Sequence, residues 1–432
     1  MSLAGSVGPS VVRIAPGRNR IWAASHRKPE NRGRNGEKVV GKHYDEHLRF
    51  GVFVPPQHPL GENPSLLFER DLEVVSMCDR LGFEEAWIGE HHSGAYETIA
   101  APELIVAVAA ERTKHIRLGT GVRSLPYAHP FTLADMMVQL DHMTRGRVMF
   151  GIGPGALPID AMQLGVDPTR TREMMEESLD VIVRLLAGER VTKKTDWFTV
   201  QDAKLQIEPF TRPRMEMAVT NVRSPAGAVL AGRYGLGTLS LGGASDEALA
   251  TYAVNIALCE ETAAQHGRTF DRRGFRVAIP VHIAETREKA RADMEFGFLN
   301  WVKYSHEVLP FSPVPHGQAD PLDYMIARRS AIIGTPDDAI AALEAIDAGL
   351  GGFGAFLIME QNWADWSAQN RSYEMFARYV IPHFRRQLAA RKESYDVSAA
   401  AYPEYVEKAK QAMARAKARH AASKPGAKDA AE

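Results

Sequence analysis

The sequence has little of what would cross-link a chain or hold it in a membrane. Two of its 432 residues are cysteines, Cys78 and Cys259, which is too few for a disulfide framework and favours a reducing compartment. No apolar run approaches the roughly 20 residues needed to span a bilayer. Residues 1–10 lack the basic and apolar regions of a signal peptide. We therefore expect a cytoplasmic protein without a membrane anchor.

An excess of charge of one sign is also missing. The 52 Lys and Arg residues are balanced by 53 Asp and Glu residues, so the formal net charge is −1. Because nucleic acid-binding domains are usually strongly basic, we expect no nucleic acid partner. The sequence also lacks a G-x-S-x-G elbow, which argues against a hydrolase-type serine nucleophile. Cys78 and Cys259 fall in predicted helices and are interpreted as packing residues.

The sequence does contain a regular alternation of short apolar runs and longer helical patterns. Hydrophobic residues make up 45% of the chain, which is typical of a globular protein. Eight strand–helix units predict parallel strands and an α/β fold closed into a (β/α)8 TIM barrel, with an open doubly wound sheet as the alternative. The predicted strands are residues 48–54, 85–88, 116–121, 148–152, 215–220, 237–241, 275–283 and 354–359. The predicted helices are residues 68–81, 102–112, 130–143, 171–186, 225–234, 245–266, 285–301 and 366–379.

Composition divides the chain into three parts. Residues 1–45 hold nine Lys or Arg and three acids without helix or strand periodicity, which predicts a basic, extended N-terminal arm. Residues 46–385 form the predicted barrel domain, and residues 386–432 a C-terminal Ala/Lys-rich helix and tail. Inside the barrel domain, residues 187–213 are predicted to form a hairpin. The Pro-containing residues 303–334 are predicted to form a long loop.

A glycine-rich segment follows the fourth predicted strand. Residues 151–156 fit the dinucleotide pattern G-x-G-x-x-A, but Glu173, the acid at the expected distance, falls inside a helical pattern. Pro154 also disturbs the strand-to-helix turn of such a site. In a barrel these glycines would lie at the C-terminal ends of the strands, where active sites occur, and would let the backbone approach a flat ring or a phosphate. A tight loop without a ligand is the alternative.

Glu90-His91-His92 follows the second predicted strand, at the same end of the barrel. A histidine there suits acid–base chemistry or hydrogen bonding near neutral pH. A structural histidine that bonds a neighbouring loop fits the position equally well. Adjacent side chains point in different directions and no paired cysteines complete a ligand set, so we expect no metal site.

The start of the fifth predicted helix is a third candidate. Ser224 precedes Pro225 there, with Gly227 in the first turn and Arg223 just before. Ser224 is suited to cap the helix, and the unpaired N–H groups of a helix start attract anions. Because every helix needs a cap, the segment predicts either an anion site or a plain helix start.

A family resemblance rests on short motifs spread over most of the chain. The motifs are Phe50-Gly51-Val52-Phe53, Leu81-Gly82-Phe83, Ala86-Trp87-Ile88-Gly89-Glu90-His91-His92, Leu118-Gly119-Thr120-Gly121-Val122, Leu125-Pro126-Tyr127, Ala128-His129-Pro130, Leu140-Asp141-His142-Met143-Thr144-Arg145-Gly146-Arg147 and Phe150-Gly151-Ile152-Gly153-Pro154-Gly155. Together they resemble the bacterial luciferase-like flavin-dependent monooxygenases over residues 46–385. Gly94 and residues 96–103, 153–158 and 333–340 are similar to the limonene monooxygenase group in particular.

The resemblance implies a chemistry as well as a fold. Reduced FMN or FAD, with FMN slightly favoured, would bind at the C-terminal end of the barrel and react with O2 as co-substrate. NAD(P)H would act through a separate flavin reductase. A C4a-(hydro)peroxyflavin would then transfer one oxygen atom to a small apolar substrate such as a terpenoid, alkene or ketone. A homodimer or higher homo-oligomer is also implied.

The resemblance also implies roles for residues that match the family motifs. His91 corresponds to the family histidine beside the flavin, which supports proton transfers, and His92 to its companion. Gly121 and Val122 match a non-prolyl cis peptide beneath the flavin ring, and Gly153 lies near the ring's reactive edge.

The remaining implied residues concern the flavin's other contacts and the substrate. Phe53 is implied as a further flavin contact, and Ser224 and Gly227 match phosphate-binding positions. Two departures matter, because luciferases carry Arg where this chain has Pro154 and Glu where it has Arg223. Arg223 is therefore predicted to supply the phosphate cation. The substrate pocket is predicted to include Tyr96, Tyr127 and His129.

Two other functions remain open from the sequence. Related barrels use a deazaflavin for hydride transfer without oxygen chemistry, and this chain could do the same. A non-catalytic, flavin-binding luciferase-like subunit is the other alternative, although the histidines and the glycine loop argue against it.

Overall fold

The computed structural model describes residues 48–222, 224–385 and 387–423. The predicted N-terminal arm, Arg223 and the end of the predicted C-terminal tail lie outside these ranges. The three-part domain division therefore remains a prediction.

Twelve strands are assigned in the part of the chain that the structure describes. They are β1 Arg49–Val54, β2 Glu85–Ile88, β3 Arg117–Thr120, β4 Arg123–Ser124, β5 Val148–Gly153, β6 Val191–Lys194, β7 Thr199–Ala203, β8 Glu216–Thr220, β9 Gly237–Leu241, β10 Phe275–Ile283, β11 Ile332–Gly334 and β12 Ala355–Met359.

The α-helices alternate with these strands. They are α1 Pro64–Leu81, α2 Pro102–Arg112, α3 Pro130–Met143, α4 Pro158–Gln163, α5 Thr171–Leu186, α6 Ala226–Tyr234, α7 Asp246–Gln265, α8 Arg287–Asp293, α9 Phe298–Glu307, α10 Pro321–Ala327, α11 Pro336–Leu350, α12 Trp366–Met375, α13 Ile381–Phe384, α14 Ala389–Ala400 and α15 Tyr402–Ala422. A π-helical turn over residues 376–380 joins α12 to α13.

Eight parallel strands close into a barrel. Their order is β1-β2-β3-β5-β8-β9-β10-β12, and β12 pairs with β1 to complete the ring. The predicted (β/α)8 barrel is therefore confirmed, and the open doubly wound sheet is excluded. Because all eight strands run the same way, their C-terminal ends share one end of the barrel, as in other barrels of this type.

Side-chain alternation along the strands divides the core into an inner and an outer layer. In β12, Ala355 and Leu357 point into the barrel, whereas Phe356 and Ile358 pack among the helices. The inner cluster consists of Phe53, Trp87, Met149, Ala218, Leu239, Ala278, Ala355 and Leu357. Three of these, Ala218, Ala278 and Ala355, are small, and the indole of Trp87 is fully buried among the eight.

The sequence predicted two interruptions of the barrel pattern, a hairpin and a long loop, and one of the two predictions is confirmed. Residues 187–213 contain the antiparallel hairpin β6–β7, as predicted. The long loop predicted for residues 303–334 is wrong, because this stretch contains the end of α9, all of α10 and strand β11. We call residues 284–331, which include α8, α9 and α10, the β10–β11 insertion. Its apolar side chains pack around Phe298 and Trp301 in a second cluster, which also includes Tyr96, Trp363, Ala364 and Ala368 from outside the insertion.

The helix predicted over residues 285–301 is also wrong as a single element. It is divided into α8 and α9, and Gly297 lies at the break. The Gly297 N–H donates to the Trp363 carbonyl oxygen over 2.9 Å, and a Cβ at Gly297 would lie 2.2 Å from the Asn362 carbonyl oxygen. A contact with the loop after β12, which sequence periodicity does not report, therefore ends the first helix.

The C-terminal part of the described chain is helical. Neither α14 nor α15 contains a buried residue. Across residues 48–222, 224–385 and 387–423, no helix has the length and apolar character required to cross a membrane.

Candidate active site

His91 lies in the loop that follows β2, at the C-terminal end of the barrel. Its backbone N–H donates to the Ile99 carbonyl oxygen over 2.9 Å, which holds the loop back on itself. The imidazole is 13% exposed, so it is enclosed but still close to the surface of the barrel end. The predicted position of His91 is therefore confirmed, and its chemical role remains a prediction.

Both ring nitrogens of His91 face carboxylates. Nδ1–H donates to Asp160 Oδ2 over 3.0 Å, and Nε2 lies 3.1 Å from Glu97 Oε2. Asp160 belongs to the short helix α4 after β5, whereas Glu97 lies on the same loop as His91. Tyr304, on α9 of the β10–β11 insertion, donates its hydroxyl to Glu97 Oε1 over 3.0 Å. We call these four residues the His91 cluster.

The electrostatics of the His91 cluster favour a charged imidazole. Burial alone would lower the pKa of His91, but Glu97 and Asp160 outweigh it and raise the pKa to about 10. Burial alone would raise the pKa of Asp160, but hydrogen bonds from His91 and Ser93 outweigh it and lower that pKa. The two flanking carboxylates therefore favour the charged form of the His91 imidazole.

His92 belongs to a second group of charges. Its Nε2 lies 3.0 Å from Glu90 Oε1, and Glu90 also pairs with Arg123. Arg123 Nε lies 2.7 Å from Glu103 Oε1, and the Ser124 N–H donates to Glu90 Oε2 over 2.6 Å. These bonds tie the loop after β2 to the segment after β3, next to Gly121 and Val122. His92 thus helps to position two loops.

The predicted flavin-ring residues lie together at the ends of β3 and β5. The Gly121–Val122 peptide bond is cis, as the resemblance implied. A Cβ at Gly121 would lie 3.0 Å from Phe53 Cε2, so the Phe53 ring packs beneath that residue. A Cβ at Gly153 would lie 2.5 Å from Val122 Cγ2, so Gly153 leaves room for the Val122 side chain.

The predicted anion site lies at the start of α6. Pro225 is the N-cap residue of α6, and the Ser224 hydroxyl, one residue earlier, accepts from the Ala226 N–H over 3.3 Å. A Cβ at Gly227 would lie 2.1 Å from the Thr220 carbonyl oxygen, which explains why this position needs glycine. Asn221, at the end of β8, is fully buried, and neither atom of its side-chain amide has a partner among the described residues. Arg223 lies outside the described residues.

The three predicted substrate residues have different surroundings. Tyr96 stacks on Tyr304 with ring centroids 4.3 Å apart. Tyr127 contacts the His92 ring edge-on, with centroids 5.7 Å apart. His129 instead lies against the β6–β7 hairpin, where it bonds the Thr199 carbonyl oxygen over 3.2 Å. The structure therefore places Tyr96 against Tyr304 of the His91 cluster and Tyr127 against His92, and gives His129 other neighbours.

Sequence reasoning missed the carboxylates and the tyrosine of the His91 cluster. Asp160 is 69 residues from His91, and Tyr304 is 207 residues from Glu97. Glu97 stood inside a segment noted for its family resemblance, but nothing in that segment marked it as a histidine partner. Asp160 follows Pro158 at the start of α4, and both residue types are common in the first turn of a helix, so the sequence does not mark Asp160 as a site residue.

No group of three or more His, Cys, Asp or Glu side chains in the described ranges is arranged to hold a metal ion. Cys78 and Cys259 are fully buried in α1 and α7, in agreement with their interpretation as packing residues. The C-terminal end is therefore distinguished by a half-buried imidazole between carboxylates, together with a glycine-lined surface and a helix start. This arrangement is typical of a barrel enzyme that binds an anionic, ring-containing cofactor.

Comparison with known proteins assigns the family. A family model described as luciferase-like monooxygenase matches residues 48–352, and the chain belongs to this family. The chain is 46% identical over 361 residues to 4-hydroxyprotoasukamycin monooxygenase of Streptomyces nodosus subsp. asukaensis, which covers 81% of this chain and 96% of that protein. It is 45% identical over 349 residues to limonene 1,2-monooxygenase of Rhodococcus erythropolis, covering 80% and 89%. The protein is thus an enzyme of the monooxygenase class.

A solved structure supports the fold. The oxygenating constituent of 3,6-diketocamphane monooxygenase from Pseudomonas putida, solved in complex with FMN, aligns with a TM-score of 0.64 at 23% identity. The alignment covers 78% of this chain and 98% of that chain. At this level of identity the likeness establishes the shared barrel.

Proposed function

We propose that the protein is the oxygenase component of a two-component flavin-dependent monooxygenase. It would use reduced flavin and O2 to insert one oxygen atom into a small apolar substrate. The observation that carries the proposal is the His91 imidazole between two carboxylates, at the same barrel end as the cis Gly121–Val122 peptide and Gly153, in a chain 45–46% identical to two monooxygenases. The flavin would supply the electrons that activate oxygen.

The residues at the C-terminal end of the barrel fit a flavin. Val122 lies over Gly153, so a smooth apolar surface is available for a flat ring. The free N–H groups at the start of α6 and the unpartnered amide of Asn221 are suited to a phosphate. Ser224 would hold the phosphate through its hydroxyl, and Gly227 would let the helix start close to β8. FMN, which carries one phosphate, is the flavin we favour.

His91 would act chiefly through its charge. Both of its nitrogens already face carboxylates, so it is not arranged to accept a proton as a general base at neutral pH. A cation held in an enclosed site stabilises negative charge that develops beside it, and such fixed groups are typically worth about 10²–10³ in rate. We therefore propose that His91 stabilises negative charge. The resemblance implied a role in proton transfers, which the arrangement of the two carboxylates does not favour.

The substrate and partners follow from the same proposal. Tyr96 and the aromatic side chains of the β10–β11 insertion surround the His91 cluster with apolar surface, which favours a terpenoid, alkene or ketone. A separate reductase would supply reduced flavin from NAD(P)H. This is consistent with the name of the Pseudomonas putida relative, an oxygenating constituent. We expect a cytoplasmic homodimer or higher homo-oligomer.

The experiment that tests the proposal is anaerobic titration with reduced FMN and reduced FAD, followed by rapid mixing with oxygenated buffer. We expect tighter binding of FMN and a transient absorbance that outlasts the oxidation of free reduced flavin. Tight binding of a reduced deazaflavin without any oxygen-dependent transient would replace the proposal with hydride transfer. Binding without turnover of any substrate would favour the non-catalytic subunit.

A further inference from the structure

We propose that Asp160 and Glu97 are positioning residues that hold His91 as a doubly protonated imidazolium, and that Tyr304 extends this arrangement to the β10–β11 insertion. The functional meaning of this inference rests on the proposed function, because His91 would face the flavin. The protonation of His91 itself is testable without flavin.

The argument begins with the two nitrogens of the ring. A neutral imidazole carries one N–H and one lone pair, so it can donate to one carboxylate at a time. Here Nδ1 lies 3.0 Å from Asp160 and Nε2 lies 3.1 Å from Glu97. In a neutral ring, one lone pair would face a carboxylate oxygen at hydrogen-bond distance, which is repulsive. The geometry is satisfied when both nitrogens carry hydrogen.

A proton on either carboxylate would be the other way to relieve the repulsion, but the surroundings oppose it. Asp160 Oδ1 accepts hydrogen bonds from the Ser93 hydroxyl and from the His92 N–H. Glu97 Oε1 accepts from the Tyr304 hydroxyl. Donors therefore face both carboxylates, and donors favour the ionised form. The raised pKa of His91, about 10, agrees with this assignment.

The four residues come from three separate elements, which gives the cluster a second consequence. His91 and Glu97 belong to the loop after β2, Asp160 to α4 and Tyr304 to α9. A Cβ at Gly94 would meet side-chain atoms of Val308, Tyr304 and Leu157 within 4 Å, so the same three elements also pack together there. The ionisation of His91 is therefore coupled to the packing of the insertion over the barrel end.

The titratable groups that face this cluster define what must be controlled in a test. Glu97 approaches His91 from its own loop and Asp160 from α4. Tyr304 acts through Glu97, and burial and Glu97 raise its pKa. Tyr127, on the loop after β3, lies near Asp160, and burial followed by Asp160 raises its pKa to about 12. Neither tyrosine is expected to ionise below pH 9.

The first test follows the His91 ring nitrogens of the flavin-free protein by ¹⁵N NMR between pH 5 and 10. The His91→Gln variant identifies the signals. We expect both nitrogens to remain protonated to above pH 8 in the wild type. In Asp160→Asn and Glu97→Gln, the His91 titration should move down by at least about one pH unit. Wild-type titration near the ordinary histidine value, or no shift in either variant, would overturn the inference.

Asp160→Asn and Glu97→Gln keep the hydrogen-bond acceptors that hold the local fold, so a change in the His91 titration can be separated from loss of folding. Asn keeps an oxygen that can accept from Ser93 and His92, and Gln does the same for Tyr304. Asp141→Asn is the matched control, because Asp141 is fully buried but accepts from Thr211, on a different part of the barrel. It should leave the His91 signals unchanged. A shift as large in Asp141→Asn would show that general loosening, and not the lost carboxylate, causes the effect.

The second test links the cluster to catalysis. With reduced FMN bound, the rate of the oxygen reaction should be nearly independent of pH from 6 to 9 in the wild type. In Asp160→Asn and Glu97→Gln it should fall as pH rises through the lowered His91 titration, and Glu97→Asp should restore most of the flat profile. If the wild type shows no oxygen reaction, the proposed function fails while the NMR result still stands. A flat profile in both variants overturns the positioning role alone.

Discussion

The two ends of the barrel both bury charged side chains, but they arrange them differently. At the N-terminal end, Arg276 lies between Glu85 and Glu216, and Arg49 and Arg117 pair with the same two glutamates. Arg276 and Glu85 are completely inaccessible to solvent. Each glutamate therefore has at least two arginine partners. At the C-terminal end the ratio is reversed in the His91 cluster, where two carboxylates share one cation.

One indole separates the two ends. The Trp87 ring lies 4.9 Å from the Arg276 guanidinium, and its N–H donates to Glu85 over 2.9 Å. On the other side, a Cβ at Gly121 would lie 2.9 Å from the Trp87 side chain. At the N-terminal end the charges neutralise one another around the fully buried Arg276 and Glu85, as suits stability. The C-terminal end keeps a partly exposed cation that a ligand can reach, as suits function.

The N-terminal end also holds a cavity of about 1000 Å³, whose lining includes Arg49, Glu216, Gly237 and Arg273. Leu48, the first described residue, lies on its wall. This cavity is on the opposite side of Trp87 from His91, so its volume does not mark the candidate active site. The two ends therefore differ in how their charged side chains are paired, and the size of a cavity does not identify the active site.

The largest expected effect is on stability, from Arg276→Met. Removing the guanidinium leaves Glu85 buried with one remaining arginine, and breaking a buried ion pair typically costs about 3–5 kcal/mol. Urea denaturation would measure the free energy of unfolding. Arg273→Met is the control, because Arg273 is exposed and pairs with an exposed Asp271, and such pairs contribute about 0–1 kcal/mol. Equal losses in the two variants would remove the structural role assigned to the N-terminal network.

At the other end, His91→Gln should affect function more than stability. We expect the lifetime of the oxygen-dependent transient with reduced FMN to fall about 100-fold, because a fixed charge is lost. Its loss of unfolding free energy should be smaller than that of Arg276→Met. His142→Gln, on an exposed imidazole at the end of α3, should leave the lifetime unchanged. An unaltered lifetime in His91→Gln would contradict the charge role.

Two glycines of α6 distinguish a binding role of the helix start from a packing role of the helix. In Gly227→Ala the new Cβ would lie 2.1 Å from the Thr220 carbonyl oxygen, and in Gly232→Ala it would lie 2.6 Å from that of Cys259. Both should cost about 1–3 kcal/mol of stability through overpacking. Only Gly227→Ala displaces the helix start, so only this variant should weaken FMN binding, measured by anaerobic titration. Parallel weakening in both variants would count against a phosphate site at the start of α6.

A further expected effect concerns the pH dependence of stability. Glu360, which follows β12, is buried, and burial together with Asp71 raises its pKa from 4.5 to about 8. Between these values the folded protein holds a proton that the unfolded chain has released, so the free energy of unfolding falls as pH rises. Glu360→Gln should reduce this fall between pH 5 and 8, as measured by denaturation at each pH. Glu374→Gln, on the exposed side of α12, should leave it unchanged. The same slope in Glu360→Gln and wild type would exclude Glu360 as its source.

The order of the barrel strands could be predicted from the sequence because each strand and helix is recognisable from its own local pattern. Alternating apolar runs and helical periods predicted all eight barrel strands. The errors arose where distant contacts override periodicity. The break at Gly297 depends on the loop after β12, and the order in residues 303–334 depends on the apolar cluster around Trp301.

Sequence patterns sufficed to predict the fold family, the parallel barrel and the barrel end at which His91 would lie, because parallel strands bring their C-terminal ends together whatever the loops do. The partners of His91 became visible only in the folded chain. Asp160 and Tyr304 reach the cluster on loops and helices of different units, and the distance between such side chains has no counterpart in sequence spacing. The pKa of an isolated histidine is near neutral. The two carboxylates that lie beside His91 in the folded chain raise that pKa and favour the charged imidazole.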